Sequence, residues 1–318
     1  MLFRPITPAE VDRAAAYTVE DPVGWIAEER FRKELAQRQY RPEWTWVAED
    51  DGEILARALW WGRRDSQHPI ALDCLDVNSS VDDRARVGTE LIAAGQRAFR
   101  RQGAKDVPQY NISLPNRWRD SPEIAAAVAW RTAAAKRAWL TEEVERLLYE
   151  WTPEVRVPER TGRLVFSPEP DDETFLAVFR RIAIGTLDVA TRRELAALGP
   201  DRQAREDLGF YLSCPGEREW WRLAHTPDGG LVGMAIPSAT AYNPNVGYLG
   251  VVPELRGHGY IDELLAEITR FHAGRDARRI TATTDTVNTP MALAFERAGY
   301  RNIETRLVFG APAPATIG

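Results

Sequence analysis

Five consecutive residues, Arg256-Gly257-His258-Gly259-Tyr260, have the makeup of a backbone anion site. Gly257 and Gly259 lack Cβ atoms, so main-chain N–H groups can close on phosphate oxygens. Arg256 adds a guanidinium suited to charge-assisted bonds with phosphate, and His258 offers one more possible contact. Ile261, Leu264, Leu265, Ile268 and Phe271 follow at helical spacing. A helix starting there turns its unpaired N–H groups and the positive end of its dipole toward the same anion. Glycine pairs also occur in plain turns, so the loop alone leaves both readings open.

The elements that must position this loop are legible on both sides. Gly247-Tyr248-Leu249-Gly250-Val251-Val252 reads as a strand running into it, and Ile280-Thr281-Ala282-Thr283-Thr284 as a β-branched strand after the helix. Pro290 suits the first turn of a second helix, which runs to Ala298 and stops at Gly299. A last strand follows around Arg306 to Phe309.

This order of elements occurs twice. Trp46 to Ala58 reads as strand, Asp-Gly turn, strand, and Leu223 to Ala235 repeats it with Asp228 lying 177 residues after Asp51. Ala71 to Val77 parallels the strand at 247–252, and Ala125 to Arg137 with Glu145 to Tyr149 parallels the closing helix and strand. Each copy reads β–α–α–β–β–β–α–β–α–β over about 150 residues, too long for a solenoid repeat. We expect two α/β domains, 1–152 and 163–310, joined by a linker at Thr152 to Gly162. The tail Ala311-Pro312-Ala313-Pro314 is expected to be mobile.

Composition narrows the function class. The 318 residues are 44% hydrophobic and 28% charged, with a net charge of −6 and no basic block, so nucleic acid is not an expected partner. No apolar run reaches membrane-spanning length, the N-terminus lacks a signal-peptide stretch, and a reducing cytoplasm is the expected compartment. Two cysteines, Cys74 and Cys214, and four histidines fall at no metal-ligand spacing, so no metal is expected.

The segment 251–265 resembles motif A of the GNAT acetyltransferase superfamily, Gln/Arg-x-x-Gly-x-Gly/Ala after a strand ending in Val-x-Pro. Arg256 and Gly259 match, and Ile261 departs from Gly/Ala. A second family pattern, Asn, then usually Tyr, then Gly-aromatic, is met by Asn288, Phe295 and Gly299-Tyr300. The resemblance implies two tandem GNAT-like acyl-CoA N-acyltransferase domains, each a mixed, mostly antiparallel sheet flanked by helices. It implies acetyl-CoA with its pantetheine along Leu249 to Val252 and its pyrophosphate on the amides of Gly257, His258, Gly259, Tyr260 and Ile261. It also implies Asn288 near the pantetheine and the Val251 amide polarising the acetyl carbonyl. A small-molecule amine would attack directly.

Phe295 replaces the tyrosine the family uses as acid, so no acid is assigned. Asp285 is the first choice for base, against a capping or turn role. Tyr242 is placed near the acceptor. In the first copy, residues 83–88 lie over 256–261, so Arg84 and Arg86 replace the two glycines and Asp82 and Asp83 put negative charge where phosphate would arrive, and one cofactor per chain is expected. A non-catalytic acyl-CoA-binding scaffold and transfer of a longer acyl group stay open, as do monomer and homodimer.

Overall fold

The structure is a computed structural model that describes residues 1–23, 26–157, 159–240 and 242–312. Pro158 of the expected linker and residues 313–314 of the tail lie outside the described residues. The chain forms two compact units.

The first unit contains β1 (Leu2–Pro5), α1 (Val11–Ala15), α2 (Glu28–Ala36), β2 (Thr45–Asp50), β3 (Glu53–Trp61), β4 (Ala71–Val77), α3 (Arg84–Arg101), β5 (Gln109–Leu114) and α4 (Pro122–Arg137). The strand β6 (Glu142–Trp151) begins in it. Its sheet runs β1-β2-β3-β4-β5, antiparallel except for β4 with β5. The core packs Trp46, Trp60 and Phe99 edge to face, with ring centroids 5.3–6.5 Å apart. Gly95 on α3 is where Trp60 fits, since a Cβ there would stand 2.5 Å from the indole.

The second unit takes residues 146–151 of β6 and adds β7 (Val165–Ser167), α5 (Asp172–Ala183), α6 (Val189–Leu198), α7 (Pro200–Ser213), β8 (Arg222–His225), β9 (Leu231–Ala239) and β10 (Pro244–Val251). It continues with α8 (Tyr260–Ala273), β11 (Ile280–Asp285), α9 (Thr289–Arg297) and β12 (Arg301–Gly310), whose last residues belong to the first unit. The sheet order is β7-β8-β9-β10-β11-β6, and only β10 with β11 is parallel. One face packs α8 and α9 through Leu264, Leu265, Ile268 and Phe295. The other packs α5 and α7 through Phe175, Phe179 and Leu208. This is the mixed, mostly antiparallel α/β architecture that the resemblance to the GNAT superfamily implies.

Two features depart from the linear reading. The second unit has three helices after its first strand where two were expected. Gly199, at φ 76°, ends α6 and Pro200 starts α7, a break that helical periodicity does not reveal. The closing strands are also exchanged. Residues 305–309 pair with 110–114 in the first unit, and residues 146–151 pair with 280–285 in the second.

Candidate acyl-CoA site

In the second unit β10 and β11 pair at Asn245 and Thr281, and no further rung joins them among the described residues. The Asn245 amide donates to the Thr281 carbonyl and hydroxyl at 3.0 and 3.1 Å, which pins the two strands at that point. His272 bonds the Asn245 carbonyl from the other side at 3.0 Å, and burial lowers its pKa. From this base the strands part.

A bulge lies on β10 between Val246 and Tyr248. It changes which face each residue meets: Val246, Leu249 and Val251 pack with the α8/α9 side, and Tyr248 and Val252 with the α5/α7 side. Gly247 is the extra residue. A Cβ there would meet the Ile236 carbonyl at 2.7 Å and the Ser238 Cβ at 2.6 Å. Val252 donates to the Val232 carbonyl on β9 at 2.9 Å. By strand alternation the main-chain groups of Val251 and Leu249 then face away from β9, into the opening.

The chain leaves β10 through a short turn at Pro253–Leu255 and reaches α8 over Gly257 and Gly259, at φ 82° and 76°. Their left-handed backbone requires glycine even though the space around both is open, the nearest atom to a Cβ at 259 being an Arg163 nitrogen at 3.8 Å. Gly259 is the N-cap of α8 and has no side chain to offer its first amides. The acids of the first turn are engaged elsewhere: Asp262 pairs with Arg297 at 2.7 Å and Glu263 accepts from Thr161 at 2.6 Å. The turn and helix start therefore fit a diphosphate.

Arg256 departs from the expected phosphate contact. Its guanidinium donates to the carbonyls of Val251 (3.1 Å), Ile184 (2.8 Å), Gly185 (3.2 Å) and Ile182 (2.6 Å). It ties the end of α5 to the end of β10, and the turn depends on that tie. The cation over the turn is Arg163, which donates to the His258 carbonyl at 2.8 Å and stacks 4.8 Å from the Tyr260 ring. Nothing in its local sequence marks it, because it approaches from 95 residues away. Ile261 packs against the core, which accommodates its departure from the small residue at that motif position.

Residues 189–300 match the profile of the acetyltransferase (GNAT) family. The chain carries a GNAT domain. A GCN5-related N-acetyltransferase from Sphaerobacter thermophilus superposes with a TM-score of 0.55 and 18% identity, over 99% of this chain and 98% of that one. A glucosamine N-acetyltransferase region of a fungal multidomain β-N-acetylglucosaminidase gives a TM-score of 0.52 and 16% identity, over 96% of this chain and 38% of that one. These likenesses show the fold. No curated protein matches the chain.

Within the GNAT domain, Asn288 is the N-cap of α9, its side chain accepting from the Met291 N–H at 3.4 Å. Asp285 is 2% exposed. One carboxylate oxygen faces Arg146 at 3.1 Å and the other accepts the Val189 N–H at 2.7 Å. Burial raises its pKa against these two partners. Phe295 lies between Tyr149 and Tyr300, with ring centroids 5.0 and 5.4 Å away. The Tyr149 hydroxyl donates to Glu296, and burial with that charge pushes its pKa up to about 12. Tyr242 is 56% exposed, in the bend that precedes β10, where its N–H donates to the Thr240 hydroxyl at 3.1 Å. On the α5/α7 side, Tyr248 meets Phe179 and Tyr211 at 5.0 and 5.6 Å. Burial pushes the Asp207 pKa up to about 6 there, with Glu194 and Asp188 adding to the rise.

The first unit repeats the parting strands but fills the gap. β4 and β5 pair at Ala71–Gln109 and Leu72–Tyr110. Beyond them Arg131, 2% exposed, donates to the Leu75 carbonyl at 3.3 Å and pairs with Asp21 at 3.0 Å. Arg84 stands 3.6 Å from the same carboxylate. The N-cap of α3 is Asp83, whose carboxylate takes the Arg86 N–H at 2.9 Å. As N-caps, Asp83 and Gly259 correspond, three residues off the sequence-based overlay. An acid thus occupies the first unit's helix start where the GNAT domain leaves it open.

Proposed function

We propose that the chain is an N-acetyltransferase using acetyl-CoA and a small-molecule amine, with its site in the second unit. The observation that carries this reading is the continuity of the parted β10 edge with the uncapped, glycine-turned start of α8. When bound, acetyl-CoA supplies a thioester carbonyl open to direct attack by an amine. The β10 edge from Leu249 to Val252 offers main-chain partners for pantetheine. The amides from Gly257 to Ile261, with Arg163, take the pyrophosphate, and Asn288 sets the start of α9 beside the opening. The Val251 N–H is the oxyanion donor of this proposal. Asp285 is the carboxylate beside the opening that the sequence singles out for a base role, but both its oxygens are engaged, so it is assigned here to anchoring and the base is left open, and Phe295 supplies no proton. Carboxylates and tyrosine rings on the α5/α7 side suit a protonated amine arriving there, and Tyr242 stays a candidate for the far end of a long acceptor.

The test is Gly259→Glu in the full chain. The added carboxylate meets the diphosphate, so acetyl-CoA affinity should fall at least about a hundredfold by calorimetry, and at least about tenfold further than in Gly259→Gln, which imposes the same strain on the turn at φ 76° without the charge. Unchanged affinity would remove the proposed site. Phe295 and the engaged oxygens of Asp285 favour a second reading, an acyl-CoA-binding scaffold without turnover. Thiol release from acetyl-CoA with a panel of amines separates the two: release supports the enzyme, and tight binding without release supports the scaffold.

A further inference from the structure

Asp285 is the last residue of β11, and its carboxylate accepts the N–H of Val189, the first residue of α6, at 2.7 Å. Arg256, just beyond β10, holds the carbonyls of Ile182, Ile184 and Gly185 at the end of α5. β10 and β11 are parallel neighbours that pair at Asn245 and Thr281 and then part. Residues 185–189 therefore run from the far end of one parted strand to the far end of the other. They cross the mouth of the opening on its α5/α7 face.

The two ends of this crossing are held unequally. At the β10 end Arg256 gives three bonds to the crossing and its approach, and a fourth, at 3.1 Å, to the Val251 carbonyl. Gly185, at φ 64°, turns the chain beside that guanidinium in a conformation that favours glycine. At the β11 end the bond from the Val189 N–H is the one close tie among the described residues. The Arg146–Asp188 pair beside it stands at 4.0 Å with both side chains about a third exposed, which makes it weak. Packing adds little between the ends. Ile184 and Leu187 are 61% and 40% exposed, and neither joins a hydrophobic cluster among the described residues. Segments with few buried apolar contacts open at the lowest cost, and this one opens first where it is held by a single bond.

We propose that residues 185–188 form a strap, hinged at Arg256 and latched by the Val189 N–H on Asp285, and that an acceptor reaches the thioester when this latch opens. What the strap covers rests on the acetyl-CoA reading above, and the latch itself does not.

Val189→Pro tests the latch. Proline suits the first position of a helix, and Asp188 before it is already extended, at φ −67° and ψ 124°. The change removes the N–H and leaves the start of α6 intact. The Asp188 amide, which donates to the Thr186 hydroxyl at 3.2 Å, is the reporter on the strap. In hydrogen exchange followed by NMR it should exchange at least about tenfold faster in the variant than in the parent, with the Ile184 amide on the hinge side unchanged. Asp285→Asn, which still accepts the Val189 N–H, should match the parent. Hydroxylamine then probes access to the thioester. Its nitrogen attacks the acetyl carbonyl and loses a proton, the C–S bond breaks, and coenzyme A leaves with that proton as the thiol. With protein in excess over acetyl-CoA, thiol release should be at least about tenfold faster in Val189→Pro than in the parent. Equal exchange at Asp188, or equal release from bound acetyl-CoA, overturns the proposal. Calorimetry showing no acetyl-CoA binding to the parent overturns the acetyl-CoA reading instead, and the exchange measurement then decides the latch alone. Should Val189→Pro lack a cooperative melt, Asp285→Ala, which removes the acceptor of the same bond, takes its place.

Discussion

Both oxygens of Asp285 are engaged, by Arg146 and by the Val189 N–H, and this separates an anchoring role from a free base. Asp285→Asn keeps an acceptor for Val189 and removes the charge opposite Arg146. As an anchor, the variant should keep turnover and the pH–rate profile of the parent, since Asn can still accept the Val189 N–H. As a base, it should lose turnover by roughly a hundredfold or more, and the acidic limb of that profile should disappear. The engaged geometry leads us to expect the anchor. Asp207 makes a pH prediction of its own. Its folded pKa is raised from 3.8 to about 6, so the folded state binds its proton more tightly than the unfolded chain. That contribution is complete below about pH 4 and is lost as pH rises toward about 6. Asp207→Asn should therefore be more stable than the parent by about 1–2 kcal/mol at pH 7.5, with the difference closing near pH 4. A difference that is equal at both pH values would contradict this.

At the scale of elements, β10 is decisive, and its bulge is the part that sequence patterning could not reveal. Gly247→Val puts side-chain atoms against the Ile236 carbonyl and Ser238. We expect a loss of about 1–3 kcal/mol and a fall in turnover larger than the fall in acetyl-CoA affinity, since the bulge directs strand edges and the glycine turn proposed for the pyrophosphate lies beyond it. Equal falls in both would argue that the bulge serves folding alone. The glycine turn and the helix after it were legible because φ and helical spacing are local properties, written at Gly257, Gly259 and the run from Ile261 to Phe271. The order of strands and helices was legible for the same reason, whereas the mixed sheet was implied by the resemblance to the GNAT superfamily. Arg256 shows the limit. Its type and place announce a phosphate ligand, yet its guanidinium is spent on four carbonyls, three of them more than 70 residues away. The long-range partners Arg163 and Arg146 left no local trace.

At the scale of the molecule, duplication was readable from the recurrence of strand, turn and helix, but the exchange of closing strands was not. Pairing partners are a property of the folded chain, and residues 145–149 and 306–309 look equally fit for either sheet. The exchange has a consequence for any cut in the linker between 152 and 163. A fragment 163–318 lacks the residues that pair with 280–285, which leaves β11 with an open edge. A fragment 1–152 lacks the residues that pair with 110–114, and with them Leu307 and Phe309 of its core. Expressed alone, each fragment should be aggregated or should lack a cooperative thermal transition. Produced together, they should recover a soluble complex that binds one equivalent of acetyl-CoA by calorimetry, because the first unit fills its own cleft with Arg131, Asp21 and Asp83. Two independently folded fragments would refute the exchange, and two equivalents bound would refute the filled cleft.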